Sequence, residues 1–334
     1  MGTRTVSAVI GEAPTGEAAI GEAAIGEAAA APGGDLKQQI VDFMTGFTAE
    51  TTPGSAAKIA DYREHLRPGT TVYITFLPGS DFDDTIAVAK RLKAEGFLPV
   101  PHFAARSIPD KAFLEDNLRK LRDEIGLKQV LVIGGALDKP VGEFSDSMQL
   151  LETGLFDKYG ITSFGVAGHP EGNPDISDLA IQQALEWKNA FAERTGAEVY
   201  AVTQFCFDAA PVIAWDRRIQ AEGNRLPVHI GVPGLATIRT LLAHARACGI
   251  GPSVRFLTRQ ARNVTKLMTV SAPDRLIGAL AAYRAGDPAC GIAGVHVYPL
   301  GGLSRSAKWS YAVADGRFTM NKDGTGFTVD VDLG

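Results

Sequence analysis

Eight short apolar runs, rich in β-branched and aromatic residues, recur between residues 46 and 302, most of them separated by a segment of helical pattern. The runs are GFTAE (46–50), TVYITFL (71–77), FLPVPHF (97–103), QVLVIGG (129–135), SFGVAGH (163–169), EVYAVTQF (198–205), LPVHIGVPG (226–234) and GVHVYPLGG (294–302). Between them lie amphipathic stretches such as DDTIAVAKRLKAEG, KAFLEDNLRKLRDEIG, DLAIQQALEWKNAFAERTG, ATIRTLLAHARACG and DRLIGALAAYRAG, several ending at glycine as a helix C-terminus does. Strands that alternate with helices imply parallel βα units. Eight such units in about 260 residues match a (β/α)8 TIM barrel of the α/β class in count and length. A doubly wound open sheet is the alternative, and no GxGxxG follows the first strand to favour it.

The two ends read differently. Residues 11–30 form a five-residue near-repeat, GEAPT GEAAI GEAAI GEAAA. A period of five spreads Ile and Ala around a helix, and each glycine weakens the helix by roughly 1 kcal/mol. Residues 1–34 are therefore expected to be a flexible low-complexity extension, residues 35–305 the barrel, and 306–334 a β-hairpin tail with DG and NKDG as turns.

Composition narrows the function classes. The chain has 334 residues, 45% hydrophobic, with a net charge of −5 and no Lys/Arg run, so nucleic acid is not an expected partner. No apolar stretch approaches the ~18 residues of a membrane span, and the N-terminus lacks a signal peptide's apolar core. The three cysteines (Cys206, Cys248, Cys290) form no CxxC pair, which fits a reducing cytoplasm. The six histidines show no HxH or HExxH spacing, so no metal site is expected; GxSxG and P-loop motifs are absent too.

In a (β/α)8 barrel, chemistry belongs to the C-terminal ends of the strands. Strand 1 ends in Glu50, strand 3 in His102, strand 5 in His169 with Glu171 and Asn173 beyond it, strand 6 in Gln204 and Asp208, and strand 8 in Tyr298 with Gly301–Gly302. Each has a structural reading: Glu50 as an acid ahead of a helix over SAAKIADYREHL, His102 as a filler of a polar gap, the glycines as tight turns. A carboxylate desolvated in a barrel mouth has its pKa raised, which suits a general acid near neutrality. Paired glycines after strand 8 stand where many barrels hold a phosphate.

In this order, FTAETTPG, PVPHFAAR, LVIGGALDKP, GVAGHPEGNPD, TQFCFD and GVPGLATI resemble the methylenetetrahydrofolate reductase family, over about Phe47 to Tyr298. GVAGHPEGNP and AVTQFCFD are the specific matches. The resemblance implies a (β/α)8 barrel of one-carbon metabolism and methionine biosynthesis. Such a barrel reduces 5,10-methylenetetrahydrofolate to 5-methyltetrahydrofolate with NADH or NADPH, usually through bound FAD. It implies Glu50 as the acid that protonates N10 and opens the folate ring, and Gln204, with Phe205, as the contact to the pterin. His102, Gly135, Ala167, His169 and Asn173 match positions lining the flavin, with Lys188 the nearest candidate for a sixth, and His169 stands where some relatives have tyrosine. Homo-oligomers are expected by the same analogy.

The departures are specific. Where the family reads Leu-Arg-Gly-Asp after strand 4, this chain reads Ile133-Gly134-Gly135-Ala136, without the flavin-side arginine or the aspartate; Asp138 is the nearest substitute. Lys188 is the nearest match to a lysine expected before strand 6. Fewer cationic contacts weaken a phosphate-bearing cofactor. Four readings remain open: FAD on altered contacts, hydride delivered directly from NAD(P)H, a folate-binding protein or accessory subunit without reductase activity, or a different barrel enzyme acting on one-carbon folates.

Overall fold

The computed structural model describes residues 35–247, 254–255, 257–258 and 268–333; the expected N-terminal extension and Cys248 lie outside them. The chain divides into Met1–Ala31 and Pro32–Gly334, and the second unit holds the whole barrel. All eight apolar runs become strands: β1 (Thr48–Thr51), β2 (Thr71–Ile74), β3 (Leu98–Ala104), β4 (Gln129–Ile133), β5 (Ser163–Gly168), β6 (Glu198–Phe205), β7 (Val228–Pro233) and β8 (Ile292–Tyr298). They pair in parallel in sequence order, and β8 closes back onto β1 through Thr48↔His296 and Ala49↔Val297. The fold is the expected closed barrel and not an open sheet.

Because side chains alternate across a strand, one parity faces the helices and the other the barrel interior. Val72, Ile74, Val130, Val132, Phe164 and Val166 pack outward in one apolar cluster with Phe82, Leu92, Leu114, Leu118 and Leu121. The opposite parity supplies an inner cluster of Tyr73, Val100, Leu131, Tyr200 and Val202. That same inner parity carries Glu50, His102, Ala167, Gln204, His296 and Tyr298 toward the C-terminal mouth.

Among the described residues, the helices longer than four residues are α1 (Leu36–Met44), α2 (Phe82–Ala94), α3 (Lys111–Ile125), α4 (Ser147–Glu152), α5 (Asp178–Thr195), α6 (Ala209–Ala221), α7 (Ile238–Ala247), α8 (Asp274–Gly286) and α9 (Leu303–Ala314). Their starts are set locally: the side chains of Asp35, Asp81, Asp110, Asp146, Ser177 and Asp208 each accept a backbone N–H of the first turn. Gly126 (φ 66°) and Gly196 (φ 67°) end α3 and α5 in the left-handed region. No helix among the described residues is long and apolar enough to cross a membrane.

Two local expectations are corrected. The segment SAAKIADYREHL is not a continuous helix; only Pro53–Ala56 and a 3-10 turn at Tyr62–Glu64 form. Arg91 on α2 donates to the carbonyls of Ala56, Ile59 and Ala60, taking acceptors that a helix would have used. The tail begins later than residue 306. Helix α9 runs through Ala314, with Ala307, Trp309 and Val313 buried, and a single hairpin, β9 (Phe318–Met320) with β10 (Phe327–Val329), comes after it. Trp309 stacks on Phe327 at 5.8 Å, which holds the hairpin to the helix before it.

Candidate active site

Glu50 sits one residue before the end of β1, its side chain 15% exposed. It does not cap the helical turn after the strand, because Thr52 accepts from Ser55 N instead. Its Oε2 lies 3.1 Å from Nε2 of the buried His296 on β8. His296 Nδ1 lies 2.7 Å from Thr48 Oγ1. A carboxylate only accepts, so the Nε2–H of His296 donates to Glu50 and Nδ1 accepts from Thr48. Thr75, just past β2, donates a second hydrogen bond to Glu50.

Burial pushes the Glu50 pKa up, as expected, but the hydrogen bond from His296, the neighbouring imidazoles and Thr75 outweigh it. The net shift is downward, which corrects the expectation of a raised pKa. His102 on β3 is buried, and neither ring nitrogen has a partner. Burial holds its pKa down at about 4, with the Glu50 charge pulling the other way. Tyr73 stands between the two imidazoles, its ring 6.0 Å from His102 and 4.6 Å from His296.

Gln204 is half-buried at the end of β6, where the pairing with β7 shifts between Val202↔His229 and Phe205↔Gly231. Three steps along β6 against two along β7 make a bulge, a device that re-aims a side chain. The amide oxygen of Gln204 accepts from Phe205 N at 3.1 Å, so its NH2 group is the part left for a ligand. Phe205 itself is buried against Tyr298 and Phe207. Asp208 is the N-cap of α6, so of the polar groups in TQFCFD the carboxylate is structural and the amide faces the mouth.

Ala167, His169 and Lys188 come together in a cavity beside β5, whereas Asn173, Gly135 and Asp138 are not among its lining residues. The cavity, of about 420 Å³, is also lined by Met148, Leu185 and Trp215, among others. Lys188 is buried, its ammonium donating to the Ala167 carbonyl at 3.3 Å. Burial lowers its pKa to about 8, against the pull of Asp146, and burial with Lys188 nearby lowers His169 to about 4. Asn173 turns its own loop by accepting from Asp175 N. Gly135 has φ 89°, a turn position, whereas a Cβ at Gly134 would meet open space. Asp138 is exposed on the loop after β4. Gly301 has a packing reason, since a Cβ there would run into the Leu235 carbonyl, and Gly302 a conformational one, with φ 111°.

A flavin dinucleotide carries a diphosphate that needs matching cations. In the cavity lining, Lys188 is accompanied by Asp146, Asp175 and Asp178, and Arg218 stands one helical turn from Glu222. Arg106 is engaged by the carbonyls of Leu137 and Ser145. The open face at Gly134 leaves room for a flat heterocycle, and among the described residues lining the cavity each cation that the diphosphate of FAD would use already has a carboxylate or a carbonyl beside it.

Among the described residues, no cluster of His, Cys, Asp or Glu could hold a metal ion. Sequence reading missed His296, Thr75 and Thr48. The available signal was the alternation in GVHVYP, which puts His296 and Tyr298 on one face and two buried valines on the other.

A parallel barrel with a histidine-backed carboxylate and a bulge-presented amide at its C-terminal mouth places the chain in the (β/α)8 class. The methylenetetrahydrofolate reductase family model matches residues 56–299, from ahead of β2 through the end of β8, and the chain belongs to that family. Glu50 lies six residues before the matched stretch. Among solved structures, an uncharacterized protein from Clostridium thermocellum, described as binding two copies of 5-methyl-5,6,7,8-tetrahydrofolic acid, superposes with a TM-score of 0.54 at 14% identity. That match covers 84% of this chain and 98% of the other. A family GH18 chitinase from Chromobacterium violaceum matches at TM-score 0.38 and 10% identity, over 85% and 86% of the two chains. The first likeness speaks to the fold, and the second is too loose to carry more.

Proposed function

We propose that this chain reduces 5,10-methylenetetrahydrofolate to 5-methyltetrahydrofolate with hydride taken directly from NADH or NADPH, in the cytoplasm. The observation that carries the reading is Glu50, placed at the barrel mouth and tied to His296 and Thr75. Family membership supplies the substrate class, and the folate-binding description of the C. thermocellum protein supports it. Glu50 gives a proton to N10, the five-membered ring opens to an iminium, and hydride adds to its methylene carbon. Gln204 holds the pterin so that the nicotinamide stacks on that carbon; orientation in a sheltered mouth supplies much of the acceleration. The hydrogen bonds from His296 and Thr75 favour the ionised form of Glu50. A pterin closing over the mouth increases desolvation, already the largest single influence on this carboxyl, and thereby favours its protonated form.

The test is NAD(P)H oxidation dependent on methylenetetrahydrofolate, with the visible absorption spectrum of the purified protein taken first. A colourless, active protein is the expected result. Flavin bands would assign the hydride route to FAD. Glu50→Gln is expected to fold normally and lose roughly 10²–10⁴ of turnover, the span attributed to a positioned acid. Near-normal turnover in that variant would remove Glu50 from the mechanism. Absent turnover with intact folate binding would make the chain a folate-binding protein.

A further inference from the structure

We infer that Tyr298 is a positioning residue: its hydroxyl pins the β6 bulge that presents Gln204, and so fixes how the pterin is held. The inference rests on the folate reading of the site. At the bulge the regular ladder is interrupted, and its backbone groups need other partners. Thr203 is fully buried and provides two of them. Its Oγ1 accepts from Gly231 N at 2.8 Å and donates to the Gln204 carbonyl at 2.9 Å. Its own carbonyl, released from the ladder, accepts from the Tyr298 hydroxyl at 2.9 Å.

The Tyr298 ring reaches that carbonyl across β7, and only a glycine leaves it room. A Cβ at Gly231 would come within 2.5 Å of the Thr203 carbonyl oxygen and 2.7 Å of the Tyr298 ring. On its other side the same ring meets His296 edge-on, 4.7 Å between centroids at 89°. Tyr298 therefore contacts the histidine that holds Glu50 and the backbone that aims Gln204. It touches neither reacting atom. The ring and its hydroxyl set the spacing between the proton donor and the pterin contact.

Tyr298→Phe removes the hydroxyl and keeps the ring contacts with His296 and Phe205. Binding of 5-methyltetrahydrofolate to the full chain, measured by calorimetry, is expected to weaken about tenfold, the worth of one lost hydrogen bond in a buried setting. NADH binding is expected to stay close to wild type and the melting temperature to fall by only a few degrees, a split that a general loss of structure would not give. Thr203→Val, which removes the other pin, is expected to produce the same selective loss. Gln204→Ala weakens folate binding by itself, and adding Tyr298→Phe to it is expected to cost nothing more. Folate binding unchanged in Tyr298→Phe, or losses that multiply in the double variant, overturn the inference while leaving the folate reading standing. A wild-type chain that binds no 5-methyltetrahydrofolate overturns both.

Discussion

At the scale of single residues, the site turns on a conflict at Glu50. Burial favours the neutral acid, whereas the His296 N–H and the Thr75 hydroxyl favour the carboxylate, and the net shift is toward the carboxylate. Removing His296 takes away the strongest of the groups holding the charge and leaves burial in place. In His296→Leu the Glu50 pKa is therefore expected to rise. In the proposed reaction the reduction needs Glu50 protonated, so kcat/KM falls as pH increases through that pKa, and the falling limb of the profile moves to higher pH in the variant. Rates of NAD(P)H oxidation from pH 5 to 9 in both proteins check this; a falling limb that enters this window only in the variant is expected, and two identical profiles exclude control by His296. Glu50 and Gln204 were legible in the sequence because each ends an apolar run with an isolated polar group. The direction of the Glu50 shift was not, since the partner that decides it lies 246 positions away and becomes a neighbour only when β8 closes on β1.

At the scale of elements, the strands were legible and the helices less so, for a physical reason. Parallel strands covered on both faces read as near-continuous apolar runs, which is what VYITF and VLVI are. Residues SYAVA of α9 have strand-like composition, yet burial of Ala307, Trp309 and Val313 at helical spacing overrides local preference. Helix α5 is the exception among the longer helices. Of its 18 residues only Lys188 and Phe191 are buried, and the cavity lies along its N-terminal half. A buried ammonium with one carbonyl partner and a pKa near 8 is a cost to the fold. Lys188→Met keeps the length of the side chain and removes the charge. It is expected to stabilise the protein at pH 7 by roughly 1–3 kcal/mol, seen as a rise of several degrees in melting temperature. The same variant is expected to lose affinity for whatever anionic group the cavity accepts, NADH being the first probe. A destabilised Lys188→Met would mean that Asp146 and the Ala167 carbonyl compensate the charge more fully than their geometry suggests.

At the scale of the whole molecule, the barrel interior and its mouth gather histidines into low-polarity surroundings. His102, His169 and His229 are each held by burial at a pKa of about 4, against an ordinary value near 6.5. A histidine whose folded pKa is depressed contributes stability above its unfolded pKa and loses it as pH falls toward the folded value, because the unfolded chain takes up the proton first. For His102, which is almost fully buried, that difference amounts to about 3 kcal/mol between pH 6.5 and 4. The two others act in the same window with smaller weight, since solvent reaches them in part. Glu50, depressed below the ordinary carboxylate range, adds a loss in the same direction at still lower pH. The protein is therefore expected to unfold cooperatively in mild acid, well before its surface carboxylates are fully protonated. Urea midpoints at pH 7.5, 6 and 5 should fall steeply, and His102→Leu should flatten the fall while sparing the value at pH 7.5. A midpoint that holds from pH 7.5 to 5 would mean that the interior admits water to these rings, and with it that the mouth is not the sheltered place that hydride transfer to an iminium requires.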